Sequence, residues 1–274
     1  MLLRAIPSTG ETLPVIGLGT WQTFDVGADE RERGPLRQVL TAFVQQGGAV
    51  VDSSPMYGRA EQVVGDLTSR TGLQERLFVA TKVWTSGKAA GVRQMEASLR
   101  KLGAPRIDLL QVHNLLDAEA HLDTLAEWQS AGRVRYVGVT HYTSSAHDAL
   151  VRILRARRLD FVQVNYSALE REAERTVLPA AADRGVAVLV NRPFAEGAIF
   201  RRLRATPLPG WAEELECRSW AELLLKFVVS HRAMTCVIPA TSNVEHLRAN
   251  MRAGNGPMPD ERQRELIADA VSSG

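Results

Sequence analysis

The chain has little cysteine, no long apolar run and almost no net charge, and each absence excludes a class of protein. Its two cysteines, Cys217 and Cys236, are too few for a disulfide framework and lack the spacing of a zinc site. No apolar stretch is long enough for a secretory leader or for a membrane helix, which needs about 18 residues. We therefore expect a cytoplasmic protein with reduced thiols, no bound metal and no membrane partner.

The charge balance also argues against a nucleic-acid partner. The chain carries 33 Lys and Arg residues against 31 Asp and Glu, a net charge of +2. The basic stretches at 152–158 and 201–204 contain no aromatic residues between the arginines, so we interpret them as solvated surface. With 274 residues, 45% of them hydrophobic, and no linker, we expect one domain over residues 1–274, as a monomer.

What the chain does have is a regular alternation of short apolar runs with amphipathic segments of helix length. The runs begin near Val15, Ala49, Leu77, Ile107, Val134, Asp160, Gly185 and Thr235. The first seven starts lie 25 to 34 residues apart, the length of one strand–helix unit. Eight such units predict an α/β protein with the closed (β/α)8 architecture of a TIM barrel.

An open, doubly wound sheet is the alternative fold. With a bound dinucleotide that fold would require G-x-G-x-x-G after a strand, and the segment 17–21 lacks the third glycine. Ahead of the first strand, Ile6 to Leu13 with a turn at 8–10 predicts a short N-terminal β-hairpin that plugs the lower end of the barrel.

Several helix boundaries follow from local signals. The repeat from Leu36 to Val44 predicts a helix that Gly47 and Gly48 end, and a second repeat runs from Val92 to Leu102 before Gly103. Residues 145–148 have the spacing of a capping box. Pro179 predicts a helix that begins or kinks there. Further helices are expected from Asp117, near Val244 and after Pro259, and the long connection 200–218 is expected to cover the cofactor or the pocket.

Four residues with acid–base chemistry lie at or just after the ends of three consecutive apolar runs. They are Asp52, Tyr57, Lys82 and His113. In a barrel these strand ends share one rim, where active sites lie. A tyrosine has a pKa near 10, and an adjacent ammonium group would lower it, so the set is suited to delivering a proton to a carbonyl oxygen. Each residue alone would more often be structural, whereas the four together favour catalysis.

At these residues the chain resembles the aldo-keto reductase family, over nearly its whole length. The matching motifs are VIGLGTW, VDSSPMYG, ATKVW, LLQVH, RYVGVTHY, FVQVNY and VIPATSNVEHLRAN. The resemblance implies a (β/α)8 barrel that binds NADP(H) across the strand ends and reduces an aldehyde or ketone by hydride transfer. It implies that Tyr57 is the general acid, that Lys82 and Asp52 tune it, and that His113 orients the substrate.

The resemblance also implies a set of cofactor-binding residues. Thr140 and His141 replace a Ser-Asn pair that holds the nicotinamide carboxamide, and Gln163 matches a glutamine at the same group. Asn191 stands where many members have a tyrosine that stacks on nicotinamide. The remaining positions follow the family's strand ends and phosphate loops: Gly19, Thr20, Trp21, Arg192, Pro193, Phe194, Gly197, Pro239, Ala240, Thr241, Ser242, His246 and Asn250. For Phe194 ordinary packing is an equal alternative.

Two departures concern the 2′-phosphate. Ala240 and His246 replace a Lys and an Arg of many members, so much of the fixed positive charge is lost. The segment retains hydroxyl groups and the N-terminus of the helix near Val244. Arg248 is either a compensating charge or a surface residue. NADP(H) is the expected cofactor, with NAD(H) as the alternative.

The substrate pocket is expected to be open and lined by Trp21, Phe24, Met56 and Trp84, each of which could instead belong to the core. A second function stays open: a cofactor-binding barrel that senses nicotinamide redox state without turnover. A metal-dependent hydrolase is a poor match, because His121, His147 and His231 lack metal-ligand spacing.

Overall fold

The structure of the protein, a computed structural model that describes residues 1–273, contains ten β-strands and ten α-helices in that range. The strands are Leu3–Ala5 (β1), Thr12–Pro14 (β2), Leu18–Gly19 (β3), Val50–Asp52 (β4), Phe78–Val83 (β5), Ile107–His113 (β6), Val134–Thr140 (β7), Phe161–Asn165 (β8), Ala187–Asn191 (β9) and Cys236–Val237 (β10). The helices are Glu30–Gln45 (α1), Ala60–Thr71 (α2), Lys88–Leu102 (α3), Ala118–Ser130 (α4), His147–Ala156 (α5), Val177–Arg184 (α6), Ala198–Arg202 (α7), Trp220–Ser230 (α8), Val244–Arg252 (α9) and Glu261–Ser273 (α10).

Strands β3 to β10 form one parallel sheet in chain order, and the sheet closes on itself. Closure comes from parallel bridges between the first and last strands, which join Ile16 to Val237 and Gly19 to Ala240. The predicted (β/α)8 barrel is therefore confirmed, and the open doubly wound alternative is wrong. The first strand is shorter than its apolar run, because Val15 and Ile16 lie ahead of β3 and only Leu18 and Gly19 join the regular ladder with β4.

The lower half of the barrel interior is apolar and is plugged by the N-terminal hairpin. Strands β1 and β2 pair antiparallel, and they bring Ile6 and Leu13 into the cluster of buried side chains inside the barrel. The rings of Phe78, Tyr136 and Phe161 complete this layer, with centroids 5.6 to 5.9 Å apart. The predicted hairpin is confirmed.

The helices pack against the outside of the strands, and the buried side chains between these two layers form the larger of two hydrophobic clusters, the outer core. Helix α3 ends as expected, with Gly103 in the left-handed conformation at φ 63°. Helix α6 begins at Val177, which places Pro179 in its first turn, where the missing N–H costs nothing. Helix α9 begins at the expected Val244.

The capping box expected at residues 145–148 is wrong. Helix α5 begins at His147, its N-cap position is Ala146, and no side chain caps it. Residues Ser144–Ala146 form a short 3-10 turn instead, and the Ser145 hydroxyl bonds to that of Thr143. The physical reason is that His147 is held in the interior by Asn165 and Thr176, and this tertiary contact sets the start of the helix.

The connection after β9 contains helix α7 and three short 3-10 turns before α8. Leu203 and Leu215 are buried in the outer core, and the indole N–H of Trp220 donates to the carbonyl of Thr206 over 2.9 Å. The segment is thus anchored to the barrel, while its expected role as a cover stays a prediction. Among residues 1–273, no helix is long and apolar enough to cross a membrane.

The plug generates a stability prediction. Ile6 is fully buried whereas Leu3, in the same hairpin, is 54% exposed. Ile6→Ala should lower the free energy of unfolding by about 2–5 kcal/mol, because it leaves a cavity at the barrel floor. Leu3→Ala, the control, should change it by less than about 0.5 kcal/mol. Urea unfolding of the two variants measures the difference, and equal losses would mean that the hairpin does not close the barrel.

Candidate active site

Strand register gathers the expected catalytic residues at one rim of the barrel. Gly19 pairs with Asp52, and Lys82 pairs with Gln111. His113 pairs with Thr140, which pairs in turn with Gln163. Because the strands are parallel, their carboxyl ends lie together, and these side chains form a polar layer above the apolar interior.

The centre of this layer is a buried ion pair between Asp52 and Lys82. The Lys82 Nζ lies 2.6 Å from Oδ2 of Asp52 and donates a second hydrogen bond, 2.8 Å long, to the carbonyl of Ser53. Both side chains are nearly inaccessible, at 3% and 1% exposure. The amides of Gln111 and Gln163 each donate to the Asp52 carboxylate over 3.4 Å. Burial by itself lowers the pKa of Lys82, but the charges and hydrogen bonds of Asp52 and Tyr57 together outweigh it. The pKa of Lys82 is therefore raised, and the ammonium stays charged.

Tyr57 is held beside this pair by the loop that follows β4. Lys82 Nζ lies 5.1 Å from the centroid of the Tyr57 ring. The loop is pinned by Asp25, whose carboxylate accepts the backbone N–H of Arg59 over 3.0 Å. Gly58 between them has φ 58°, and a Cβ there would lie 2.3 Å from the Asp25 carboxylate. Only glycine fits this position, which explains the glycine directly after the tyrosine.

The expectation that Lys82 gives Tyr57 a lowered pKa is wrong as a net effect. Burial raises the pKa of Tyr57 above its ordinary value, and the positive charge of Lys82 opposes this only in part. The physical reason is that Asp52 neutralises much of the Lys82 charge and itself raises the pKa of Tyr57. Tyr57 is consequently protonated at neutral pH, the form that a proton donor requires.

His113 is the fourth expected residue, and it is a neutral imidazole. Its ring is edge-on to Tyr57 with centroids 5.9 Å apart, and it is 5% exposed. Burial, together with the charges of Lys82 and His141, lowers the pKa of His113 to about 2. Its Nδ1 lies 3.0 Å from the hydroxyl oxygen of Ser54, a fully buried residue that the sequence analysis did not single out. The signal available was its place two residues after Asp52.

The expected pocket wall is present in part. The indoles of Trp21 and Trp84 are each 41% exposed at the rim. Trp21 packs on Tyr57 with centroids 4.8 Å apart, and Trp84 is 6.4 Å from His113. Met56 is half-buried in the same loop as Tyr57. Phe24 is different, because its ring is completely buried in the outer core and cannot line a pocket.

The residues expected at the nicotinamide carboxamide have the open donors and acceptors that an amide needs. His141 Nδ1 accepts the backbone N–H of Tyr142 over 3.0 Å and that of Thr143 over 3.3 Å, which leaves Nε2 as the protonated nitrogen. The Gln163 side-chain oxygen and that of Asn191 are buried without a hydrogen-bond partner among the described residues. Asn191 donates to the carbonyl of His141 over 3.2 Å. Thr140 is buried in the same rim.

The loop after β9 is strained and charged. Arg192 has φ 53°, and its guanidinium lies 3.2 Å from Glu170 and 3.4 Å from Glu196. Its cationic group is therefore shared between two carboxylates. The Phe194 ring packs on Phe200 with centroids 5.0 Å apart, in agreement with the packing alternative for that residue. Pro193 is buried, and Gly197 has φ 81°.

At the end of β10 the backbone approaches the first strand closely. A Cβ on Gly19 would lie 2.7 Å from the carbonyl of Ile238, so the closing seam of the barrel requires glycine there. The neighbouring side chain of Thr20 is buried and donates to the carbonyl of Asp52 over 3.0 Å. Pro239 is buried on the same seam, whereas Ala240 is exposed.

The groups expected at the 2′-phosphate are largely engaged with each other. The Asn243 carboxamide oxygen caps helix α9 by accepting the N–H of Glu245 over 2.8 Å and that of His246 over 3.2 Å. The Thr241 hydroxyl bonds to the backbone of Asn243. Arg248 is paired with Glu245. The side chains of Ser242 and His246 are exposed, and Asn250 is buried.

Taken as chemistry, the rim provides a protonated tyrosine beside a fixed ammonium, a neutral imidazole, an apolar mouth and unpaired amide groups on the facing strands. This arrangement defines a barrel oxidoreductase of the kind that protonates a carbonyl oxygen while a nicotinamide is held nearby. Within the described residues, no group of three or more His, Cys, Asp or Glu side chains is placed to hold a metal ion.

Comparison with known proteins agrees. The model of the aldo/keto reductase family matches residues 15–268, and the chain belongs to this family. It is 28% identical over 259 residues to the methylglyoxal reductase YeaE of Escherichia coli, covering 91% of this chain and 89% of that one. It is 30% identical over 217 residues to the aldo-keto reductase YhdN of Bacillus subtilis, a match that spans 73% of this chain and 64% of that one.

Among solved structures, the chain is similar to an aldo-keto reductase from Klebsiella pneumoniae in complex with NADPH. The TM-score is 0.80 at 25% identity, covering 97% of this chain and 94% of that chain. The family resemblance seen in the sequence is thereby confirmed, as are its reaction class, carbonyl reduction by hydride transfer, and its nicotinamide cofactor. Individual residue roles remain predictions.

The buried pair generates a prediction about pH. Lys82→Met leaves the Asp52 carboxylate buried and uncompensated, which should cost about 3–5 kcal/mol in the free energy of unfolding. Burial already raises the pKa of Asp52 in the wild type, where Lys82 opposes the shift, so without Lys82 the folded pKa lies still further above the unfolded value. Because the folded state holds the extra proton, the loss should be smallest at low pH and should grow as pH rises through that folded pKa.

The control is the double variant Lys82→Met/Asp52→Asn, which removes both charges. It should recover most of the lost stability, and its stability should no longer fall as the pH rises, as measured by urea unfolding between pH 5 and 8. Its activity should remain lost. A single variant as stable as the wild type at pH 8 would show that Lys82 does not compensate Asp52.

Proposed function

We propose that the protein reduces a small aldehyde or ketone with NADPH, and that Tyr57 is the general acid. The observation that carries this assignment is the Asp52–Lys82 ion pair beside Tyr57. Its two side chains are at most 3% exposed, and the Lys82 Nζ lies 2.6 Å from the Asp52 Oδ2. A fixed positive charge at that depth stabilises the tyrosinate that remains after proton transfer. The cofactor, when bound, supplies the hydride that reaches the carbonyl carbon.

The proposed roles of the chain's own residues are as follows. The Tyr57 hydroxyl gives its proton to the carbonyl oxygen, and the Lys82 ammonium holds the resulting negative charge on Tyr57. The neutral His113 donates a hydrogen bond to the same carbonyl oxygen. Trp21 and Trp84 exclude water from one side of the carbonyl and favour a small substrate without a large charge.

The nicotinamide end is assigned to His141, Gln163 and Asn191. Each has a free donor or acceptor: the Nε2–H of His141 and the unpaired side-chain oxygens of the other two. A carboxamide has one donor group and one acceptor, so these three complement it. Thr140 completes this end of the site.

The remaining cofactor assignments run along the rim to the far end. We place the pyrophosphate beside Arg192, Pro193, Phe194 and Gly197, and the nucleotide along Gly19, Thr20, Trp21, Pro239, Ala240, Thr241, Ser242, His246 and Asn250. We also propose that the chain acts as a monomeric, single-domain, cytoplasmic enzyme.

The alternative of a redox sensor without turnover has no observation in its favour. A barrel that only binds a nicotinamide has no need of a buried ammonium beside a tyrosine, because the pair costs desolvation energy and contributes nothing to recognition. The filled site therefore favours catalysis.

Tyr57→Phe tests the general acid. The variant removes one hydroxyl and should lower kcat for aldehyde reduction about 10²–10⁴-fold, with unchanged affinity for NADPH. Tyr136→Phe is the control, because it also removes one tyrosine hydroxyl, but at the floor of the barrel, where that hydroxyl bonds to Glu11. Steady-state kinetics and cofactor titration by fluorescence, on one preparation, give both quantities. Near-normal turnover by the Tyr57 variant would refute the assignment.

The NADPH preference should be small. The Thr241 hydroxyl and two N–H groups of helix α9 are already taken by Asn243, and Glu245 brings a negative charge that pairs with Arg248. These contacts leave the phosphate of NADPH with few charged partners, since Ala240 carries no charge and His246 stands where the family resemblance implies an arginine.

The double variant Ala240→Lys/His246→Arg should raise the ratio of kcat/KM for NADPH over NADH by at least about tenfold, since a charged hydrogen bond contributes roughly 1.5–3 kcal/mol. Leu3→Arg/Thr12→Lys adds charge at the opposite end of the barrel and serves as the control. If both double variants change the ratio equally, the effect is one of net charge and not of a phosphate site.

A further inference from the structure

The Ser54–His113 contact is the strongest feature of the rim that the reaction scheme has not used. Ser54 is completely buried, and its hydroxyl oxygen lies 3.0 Å from His113 Nδ1. The same oxygen accepts the backbone N–H of Met56 over 3.3 Å. Ser54 also accepts, through its carbonyl, the backbone N–H of Tyr57 over 3.0 Å.

These contacts decide which imidazole nitrogen carries the proton. The only acceptor that Ser54 Oγ–H reaches among the described residues is His113 Nδ1. If Nδ1 carried the proton instead, it would donate to Ser54 Oγ, and the buried hydroxyl proton would be left without an acceptor. A buried donor without an acceptor is strongly unfavourable, because it loses its hydrogen bonds to water and gains none in the protein. The arrangement that satisfies every group has Ser54 donating to Nδ1 and the ring proton on Nε2.

We propose that Ser54 is a positioning residue, which fixes His113 in the Nε2–H tautomer and thereby makes it a hydrogen-bond donor to the substrate oxygen. The proposal rests on the proposed function for the identity of that substrate. Its structural half, the tautomer, is independent of any reaction. Ser54 thus contacts both groups that meet the carbonyl oxygen: its hydroxyl holds the ring of His113, and its backbone carbonyl accepts the N–H of Tyr57.

The neutral state of His113 is what makes the tautomer matter. An imidazolium ion would donate from both nitrogens, and no orienting partner would be needed. With a pKa near 2, His113 is neutral throughout the physiological range, so the wrong tautomer would present a lone pair to the carbonyl oxygen. Burial beside Lys82 thus keeps His113 neutral, and a neutral imidazole requires a partner such as Ser54 to fix its tautomer.

The first measurement is ¹⁵N NMR of the wild-type protein labelled at histidine, at pH 7. The chain has six histidines, and the His113 signals are assigned from their loss in His113→Gln. We expect a protonated Nε2 and an unprotonated, hydrogen-bonded Nδ1. A protonated Nδ1 in the wild type would overturn the proposal whether or not the protein turns over a carbonyl.

The second measurement compares Ser54→Ala with Ser98→Ala. Ser98 is equally buried, lies in α3 and has no hydrogen-bond partner among the described residues, so it is a matched control for the volume lost. Ser54→Ala should move His113 toward the Nδ1–H tautomer and lower kcat/KM for an aldehyde about 10-fold, while the dissociation constant for NADPH stays unchanged. Ser98→Ala should leave all three quantities as in the wild type.

The outcomes separate the two proposals. An unchanged tautomer in Ser54→Ala, or a loss of activity no greater than in Ser98→Ala, would refute the role of Ser54. Should Ser54→Ala not fold, the wild-type tautomer still decides the matter. A wild type with the expected tautomer but no turnover of any aldehyde or ketone would refute the proposed function and leave the Ser54–His113 hydrogen bond established.

Discussion

The ion pair between Lys82 and Asp52 is the interaction on which the active site depends. A charged ammonium is stable inside a barrel only if a carboxylate and further acceptors surround it, and here Asp52 and the carbonyl of Ser53 meet that condition. The requirement extends outward, because the carboxylate in turn receives the amides of Gln111 and Gln163. Four strands are thus tied to one polar centre, and Tyr57 and His113 take their electrostatic environment from it.

The pair also lies at the boundary between an apolar lower half of the barrel and a polar upper rim. Below it, the interior is filled by aliphatic and aromatic side chains and is plugged by the hairpin through Ile6 and Leu13. Polar groups at the floor, such as Tyr136 and Glu11, bond to each other at the edge of the plug over 2.5 Å. Above the pair, the strand ends carry groups with unpaired donors and acceptors. The apolar floor stabilises the fold, and its stability permits the costly polar rim.

The cofactor end shows a different balance of interactions. A phosphate group is usually recognised by fixed cations or by free N–H groups at the start of a helix. In this chain Asn243 caps helix α9 from within, and Glu245 pairs with Arg248. The N–H groups and the arginine at the start of this helix already have partners within the chain, so few donors or cations are left to bind the additional phosphate of NADPH. If the cofactor lies as proposed, we therefore expect this part of the rim to discriminate only weakly between NADPH and NADH.

By itself, the sequence determined the barrel, its hairpin and the order of the four rim residues, because these follow from local patterns. Buried parallel strands require short apolar runs, such as Phe78–Val83 and Val134–Thr140, and the chain repeats them at the length of one strand–helix unit. The Asp52, Tyr57, Lys82 and His113 positions follow from where those runs end. The family resemblance added an expected role for each of these residues, and those roles stay predictions.

Only the tertiary structure decided the properties that depend on residues distant in the chain. Phe24 is adjacent to the rim in sequence, yet it is packed into the outer core. The start of helix α5 follows the contact of His147 with Asn165, and not the local capping pattern. The pKa of Tyr57 is raised because burial outweighs Lys82, and the partner of His113 is a serine 59 positions earlier. How deeply a side chain is buried, and which side chain it contacts across strands, depends on many residues that are distant in the chain. These properties therefore cannot be predicted from a local stretch of sequence.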